Sequence, residues 1–66
     1  MPIQPNSDFL ESKPVLAEDA FGTLRYEDGS WRYWLDFDGR VRVEERVAFG
    51  SSGWRNVTHY NGNEMP

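Results

Sequence analysis

Four segments in the middle of the chain alternate polar residues with aromatic and β-branched residues, which is typical of half-buried β-strands. They cover residues 21–27, 30–36, 40–49 and 54–60. Turn-forming sequences separate them: Asp-Gly at 28–29 and 38–39, and Gly-Ser-Ser-Gly at 50–53. Consecutive strands joined by short loops pair with each other in antiparallel fashion. The pattern therefore predicts a mainly β domain built on a single four-stranded antiparallel meander.

The register of the second predicted hairpin follows from matching apolar residues across its strands. A three-residue loop over 37–39, with Gly39 in a left-handed bulge, pairs Leu35 with Val41. The same loop pairs Tyr33 with Val43, whereas a two-residue loop would place both apolar residues opposite charged ones. Because a one-residue slip moves every side chain to the other face, we predict the bulged register.

The first hairpin extends this apolar face. A loop over 28–29 pairs Tyr26 with Trp31 and Leu24 with Tyr33. A single sheet cannot bury its own apolar face, so a second layer has to cover it. The predicted core face comprises Leu24, Tyr26, Trp31, Tyr33, Leu35, Val41, Val43, Val47, Phe49, Trp54 and Tyr60.

The segment before the strands differs from them in composition. Residues 1–20 are acidic and contain prolines, whereas no proline lies within 21–60. We therefore divide the chain into an acidic arm (1–20), a sheet body (21–60) and a short tail (61–66).

The arm offers apolar residues and two starting points for helical turns. Asn6 or Ser7 is placed to cap a turn that ends before Pro14, and Pro14 is placed to open a second turn through Ala20. We expect the arm to pack on the apolar face of the sheet. The alternatives are a tail that orders only on binding, or a second copy of the chain as the cover.

Length and charge narrow the classes of function. A chain of 66 residues forms one small domain, and without cysteine it has no disulfide or thiolate metal site. The net charge of -4 argues against non-specific nucleic-acid binding by the molecule as a whole. No apolar run is long enough for a membrane span or a signal-peptide core, so we expect a cytoplasmic protein with no membrane partner.

The opposite face of the predicted sheet gathers arginines around a tryptophan. Cross-strand pairs of arginine with glutamate or aspartate would make it an ordinary solvated face. Tryptophan, tyrosine and arginine also dominate the hot spots of protein interfaces. Arginines around an exposed tryptophan form, in addition, a platform for single-stranded nucleic acid. The side chains predicted there are Arg25, Arg32, Trp34, Arg40, Arg42, Arg46, Arg55 and His59.

No residue pattern indicates catalysis. His59 is the only histidine, and no serine lies in a nucleophile motif. Asp36, Asp38 and Glu45 match the spacing of a calcium loop, but Trp34 occupies the first ligand position. We therefore expect no enzymatic activity, no metal and no cofactor.

The sequence favours a small stand-alone module that binds another protein stoichiometrically, as an accessory or inhibitory protein. It would bind through the face of arginines and tryptophan or through an exposed edge strand. Two alternatives stay open: a β-platform for single-stranded nucleic acid on the same face, and a homo-oligomeric structural protein, such as a homodimer, that uses the aromatic face. The predicted binding residues are Trp34, Arg32, Arg42, Arg46, Arg25 and Arg55.

Overall fold

The computed structural model describes residues 5–47 and 53–62. This part of the chain forms a five-stranded antiparallel sheet in which each strand pairs with the next, with a short helix on one face. The predicted mainly β meander is confirmed, with one strand more than predicted. The elements are α1 (Ser7–Glu11), β1 (Ala17–Glu18), β2 (Gly22–Glu27), β3 (Trp31–Asp36), β4 (Arg40–Arg46) and β5 (Trp54–Asn61).

The additional strand comes from the arm, where a second helical turn over 14–20 was predicted. That prediction is wrong, because β1 pairs with β2 instead. The Asp19 carboxylate accepts hydrogen bonds from the N–H groups of Phe21, at 2.8 Å, and Gly22, at 3.0 Å. These bonds close a tight turn that folds the arm back along the edge of the sheet.

Helix α1 begins where a capping residue was predicted. The side chain of Asn6 accepts a hydrogen bond from the Phe9 N–H at 2.9 Å, which satisfies one of the unpaired donors of the first turn. The helix ends before Pro14, also as predicted. So short a helix is not stable alone, and its stability comes from Leu10, which is fully buried against the sheet.

The predicted register of the second hairpin is confirmed. Leu35 lies opposite Val41 and Tyr33 opposite Val43. Gly39 has a φ of 89°, the left-handed conformation that the bulged loop requires.

The predicted register of the first hairpin is wrong. Tyr26 lies opposite Tyr33, not opposite Trp31. The carboxylate of Asp28 accepts the N–H of Trp31 at 2.9 Å, which shifts the loop one residue along the chain. A bulge between Leu24 and Tyr26 then shifts the register again, so that Leu24 lies opposite Trp34 and leaves the predicted core face.

A second bulge redirects the start of β5. Val43 pairs with Thr58, but beyond it Glu44 pairs with Asn56, which leaves Val57 without an opposite residue. Trp54 consequently lies opposite Arg46, on the face away from α1. Its predicted place in the core is therefore wrong, because the extra residue inverts every side chain that precedes it in β5.

The core lies between α1 and one face of the sheet, which we call the helix face. Tyr26 also lies on this face and forms a ring contact with Tyr33, with centroids 5.9 Å apart. Of the other predicted core residues, Val47 is half-buried and Phe49 lies outside the described residues. The core consists of Leu10, Tyr33, Val41 and Val43, with Trp31, Leu35 and Tyr60 packed against it.

Hydrogen bonds fix the arm to the far edge of the sheet. The Tyr60 hydroxyl donates to the carbonyl of Pro5, and the Ser7 N–H donates to the carbonyl of Gly62 at 2.7 Å. Burial, with a smaller contribution from Tyr33, raises the pKa of Tyr60 to about 12, so its hydroxyl remains a donor at neutral pH. The arm therefore crosses the helix face from β5 to β1.

Replacing Leu10 tests whether this docking holds the fold together. Leu10→Ala removes the apolar side chain that joins α1 to the sheet, and we expect a loss of about 2–5 kcal/mol in the free energy of unfolding, measured by urea denaturation. Val15→Ala, at a residue that is 53% exposed, is the matched control and should change stability by less than about 0.5 kcal/mol. Equal effects of the two substitutions would show that the arm does not contribute to the core.

Candidate binding surface

The face of the sheet away from α1 is organised around one arginine. We call it the arginine face, and Arg42 lies at its centre with only 12% of its side chain exposed. Its guanidinium carbon lies 4.3 Å from the ring centre of Trp34 and 5.9 Å from that of Phe21. The same group forms ion pairs with Asp19 at 2.9 Å and with Asp36 at 3.2 Å. Arg42 therefore joins β4 to β3 and to the turn after β1.

Trp34 is on this face, but it is not the exposed ring that the sequence predicted. Only 6% of it is exposed. Arg42 stacks on the ring, Leu24 lies opposite it on β2, and its indole N–H donates to Glu44 at 2.8 Å. The prediction fails because strand alternation identifies the face on which a side chain lies, not what covers it there.

Asp36 is a buried carboxylate, with 8% of its side chain exposed. Burial raises its pKa, and the nearby Arg42 and His59 oppose that shift only in part. The Nε2 atom of His59 lies 3.9 Å from Asp36. Gly22 makes this packing possible, because a Cβ atom at Gly22 would lie 2.5 Å from the Asp36 Cα.

The pKa of Asp19 shifts in the opposite direction. Desolvation raises the pKa of its carboxyl, but hydrogen bonds from the Phe21 N–H, the Arg42 guanidinium and the Gly22 N–H together lower it below the ordinary value. The ionised form of Asp19 is therefore the one that holds the turn and Arg42 in place.

Two other predicted arginines share the arginine face. Arg32 lies over the Trp54 ring at 4.3 Å and pairs with Glu27 at 3.4 Å. Arg46 lies 5.1 Å from the same ring, and its side chain donates to the Gly29 carbonyl at 2.9 Å. Both guanidinium groups are thus held by other side chains or by the backbone.

The remaining two predicted binding residues are not on this face. Arg25 lies on the helix side, where it donates to the Thr23 hydroxyl and the Lys13 carbonyl, both at 2.9 Å. Arg55 lies opposite Glu45 and bonds to it at 2.6 Å. The bulge in each of their strands is the physical reason, since it inverts the alternation on which the prediction rested.

Among the described residues, the two most exposed aromatic side chains are phenylalanines that were not predicted as binding residues. Phe21 is 68% exposed and Phe37 is 66% exposed. The Phe37 N–H donates to the Phe21 carbonyl at 2.8 Å, so the two residues are adjacent. Their positions in the sequence could have identified them, because each phenylalanine lies beside a turn, outside the alternating part of its strand.

These phenylalanines border a shallow depression of about 600 Å³. Its lining also includes Arg40, Asn56 and His59, all exposed on β4 and β5, and the carboxylates of Asp36, Asp38 and Glu44. Within residues 5–47 and 53–62 the Arg40 guanidinium forms no ion pair, unlike that of Arg42. The depression therefore combines exposed aromatic surface with an available cation.

The structure places no metal site among the residues that it describes. No group of three or more histidine, aspartate or glutamate side chains is gathered there. The calcium spacing does not bring its ligands together: Asp38 accepts the Arg40 N–H at 3.0 Å, and Glu45 bonds to Arg55.

Comparison with models of protein families, with curated proteins and with solved structures finds no match for this chain. Among the described residues, no helix has the length and apolar character needed to cross a membrane.

Removing Arg42 tests its central role. Arg42→Gln leaves the buried carboxylate of Asp36 without its partner and uncovers Trp34, and we expect a loss of about 3 kcal/mol in the free energy of unfolding. Arg40→Gln removes the same charge from an exposed neighbour and is expected to change it by less than about 0.5 kcal/mol. Urea denaturation of both variants decides the question, and similar values would mean that Arg42 is a solvated surface residue.

The two carboxylates should titrate on opposite sides of the ordinary aspartate value. Because the pKa of Asp19 is lowered, its ionised form stabilises the fold, and this contribution is lost as pH falls through the lowered pKa. Because the pKa of Asp36 is raised, its ionisation costs stability as pH rises through the raised pKa. Carboxyl ¹³C shifts measured against pH should give two separated midpoints, with Asp36 the higher. A higher midpoint for Asp19 would refute the arrangement.

Proposed function

We propose that this chain is a small non-enzymatic module that binds another protein through the surface formed by Phe21, Phe37, Arg40 and His59. We call this surface the phenylalanine rim. The observation that carries the proposal is the pair of adjacent phenylalanines, each about two-thirds exposed, beside a depression that also holds an available arginine. Aromatic residues, phenylalanine among them, and arginine are enriched in protein–protein interfaces relative to the rest of the surface.

The exposed side chains of the sheet favour a protein partner over nucleic acid. A nucleic-acid platform needs free aromatic rings and free cations along a strand. Trp34 is buried, Arg42 is paired with three carboxylates, and two arginines contact the ring of Trp54. The net charge of -4 would also repel a polyanion.

A partner is likewise favoured over self-assembly through the aromatic face. That surface is the helix face, and α1 of the same chain buries Leu10 against it. The exposed apolar surface at the phenylalanine rim remains free of such a cover within the described residues. We propose that binding is stoichiometric, in an accessory or inhibitory role. The cytoplasm suits the cysteine-free composition and forms part of the proposal.

Substitution of the rim tests the proposal. Phe21→Ser with Phe37→Ser removes the two exposed rings, and we expect at least a tenfold drop in the amount of partner captured from a lysate of the source organism. Quantitative mass spectrometry of the captured proteins gives the measurement, and the unfolding free energy of each variant checks the fold.

Val15→Ser with Leu16→Ser is the matched control, because both residues are 53% exposed and lie beside β1. This control should retain the partner. If the two double variants capture the same proteins in equal amounts, the rim is not the binding surface.

A further inference from the structure

The side chains that line the depression carry several charges, and most of these charges are compensated within the fold. The Asp36 carboxylate pairs with Arg42 at 3.2 Å, and Nε2 of His59 lies 3.9 Å from the same carboxylate. Glu44 accepts the Trp34 indole N–H at 2.8 Å and lies 4.0 Å from the Arg42 guanidinium. These carboxylates therefore do not set the charge that the depression presents to a partner.

Two charges at the tip of the β3–β4 hairpin are not compensated in this way. Asp38 and Arg40 are both exposed, and within residues 5–47 and 53–62 neither side chain forms an ion pair. The Asp38 carboxylate accepts the backbone N–H of Arg40 at 3.0 Å, which closes the loop but leaves the carboxylate charge without a cation. The hairpin tip thus presents one free carboxylate and one free guanidinium at the border of the depression.

The exposed phenylalanines lie beside this charged tip. Phe37 directly precedes Asp38 in the chain, and its N–H donates to the Phe21 carbonyl at 2.8 Å. Exposed aromatic surface and one free charge of each sign are therefore adjacent. Such a patch does not favour an acidic or a basic partner, because either one would meet a like charge.

We propose that the phenylalanine rim binds a second copy of this chain in a dimer with two-fold symmetry. In such a dimer the same patch meets itself, so the patch has to be its own complement. A two-fold axis between the phenylalanines of the two copies brings Asp38 of each copy to Arg40 of the other. The rings meet at the centre, and an ion pair lies on each side of them. Because the free charges of the patch cancel, two chains of net charge -4 can approach through it.

This dimer differs from the homo-oligomer that the sequence left open, since that one uses the aromatic face, which α1 covers. A second copy on the rim would cover Phe21 and Phe37, so a partner protein has to displace it. This regulatory consequence rests on the proposed function, whereas the dimer itself does not. A contact of this small size is typical of transient interfaces, and we expect a dissociation constant of about 100 μM.

Sedimentation equilibrium of the purified full chain, from about 10 μM to about 1 mM, tests the dimer. We expect a reversible monomer–dimer equilibrium. Phe21→Ser with Phe37→Ser should raise the dissociation constant at least tenfold, because it removes the apolar centre of the interface. Val15→Ser with Leu16→Ser is the matched control and should leave the constant unchanged. A chain that stays monomeric throughout, or an equal effect of the two double variants, would overturn the proposal.

Exchange of the charges identifies the two ion pairs. Asp38→Arg alone places cations opposite each other, and Arg40→Asp alone places carboxylates opposite each other, so each variant should dimerise at least tenfold more weakly. An equimolar mixture of the two variants restores both ion pairs and should form a mixed dimer. Glu11→Arg mixed with Lys13→Asp makes the same charge changes on the arm and should not favour a mixed dimer. An equal gain in the two mixtures would show that overall charge is responsible, and the assigned interface would be wrong.

A second substitution of Asp38 protects this test from a loss of folding. Asp38→Asn removes the charge but retains an oxygen that accepts the Arg40 N–H. We expect it to weaken the dimer about threefold, with an unchanged free energy of unfolding in urea. An unchanged dissociation constant for this variant would refute the ion pairs.

The outcomes separate this inference from the proposed function. A monomeric chain whose capture of a lysate protein depends on the rim would overturn the dimer and leave the proposed function intact. A rim dimer that captures no lysate protein would support the inference and refute the proposed function. Where both are observed, excess captured protein should dissociate the dimer. A dimer that persists with that protein bound would overturn the masking of the rim.

Discussion

The fold depends on the guanidinium of Arg42, because the sheet has two faces to cover and residues 5–47 and 53–62 supply only one helix. Leu10 and α1 cover the first face. On the second face, Arg42 covers the ring of Trp34 and neutralises buried Asp36. A planar cation performs both tasks at once, since it stacks on aromatic rings and bonds to carboxylates in its own plane. The arginine face is thus a compact polar layer that replaces a second helix.

The sequence was sufficient to predict strands β2 to β5 and the second hairpin. In that hairpin the apolar cross-strand pairs and the loop conformation of Gly39 require the same register. The local preference of the loop and the long-range preference of the strands therefore coincide. It was insufficient where one polar side chain decides the geometry. Asp28 shifts the first loop, and the bulge at Arg25 leaves no distinctive residue in the sequence. Alternation across a bulge reports the wrong face, which is why Trp54 was misplaced.

The candidate site shows the same limit in another form. The sequence correctly predicted that Trp34 and Arg42 lie on the same face. The Arg42 guanidinium stacks on the Trp34 ring, so the two side chains stabilise the fold and are not exposed to a partner. The most exposed aromatic residues of the described chain, Phe21 and Phe37, lie at strand ends, where the register requires no partner for an apolar residue. In small sheets, candidate binding residues therefore lie at strand ends, where the alternation of polar and apolar residues stops, as well as within the regular strands.

The hydrogen bond between Ser7 and Gly62 has a topological consequence. It brings the two ends of the described chain together at one corner of the domain. A domain whose ends meet can be inserted into a surface loop of another protein, with both junctions leaving from a single point. For the host protein the insertion is equivalent to a longer loop, and the entropic cost of closing a loop grows only slowly with its length. Because these ends are close, a short linker can also join them, and the chain can then be opened at an exposed loop elsewhere in the domain.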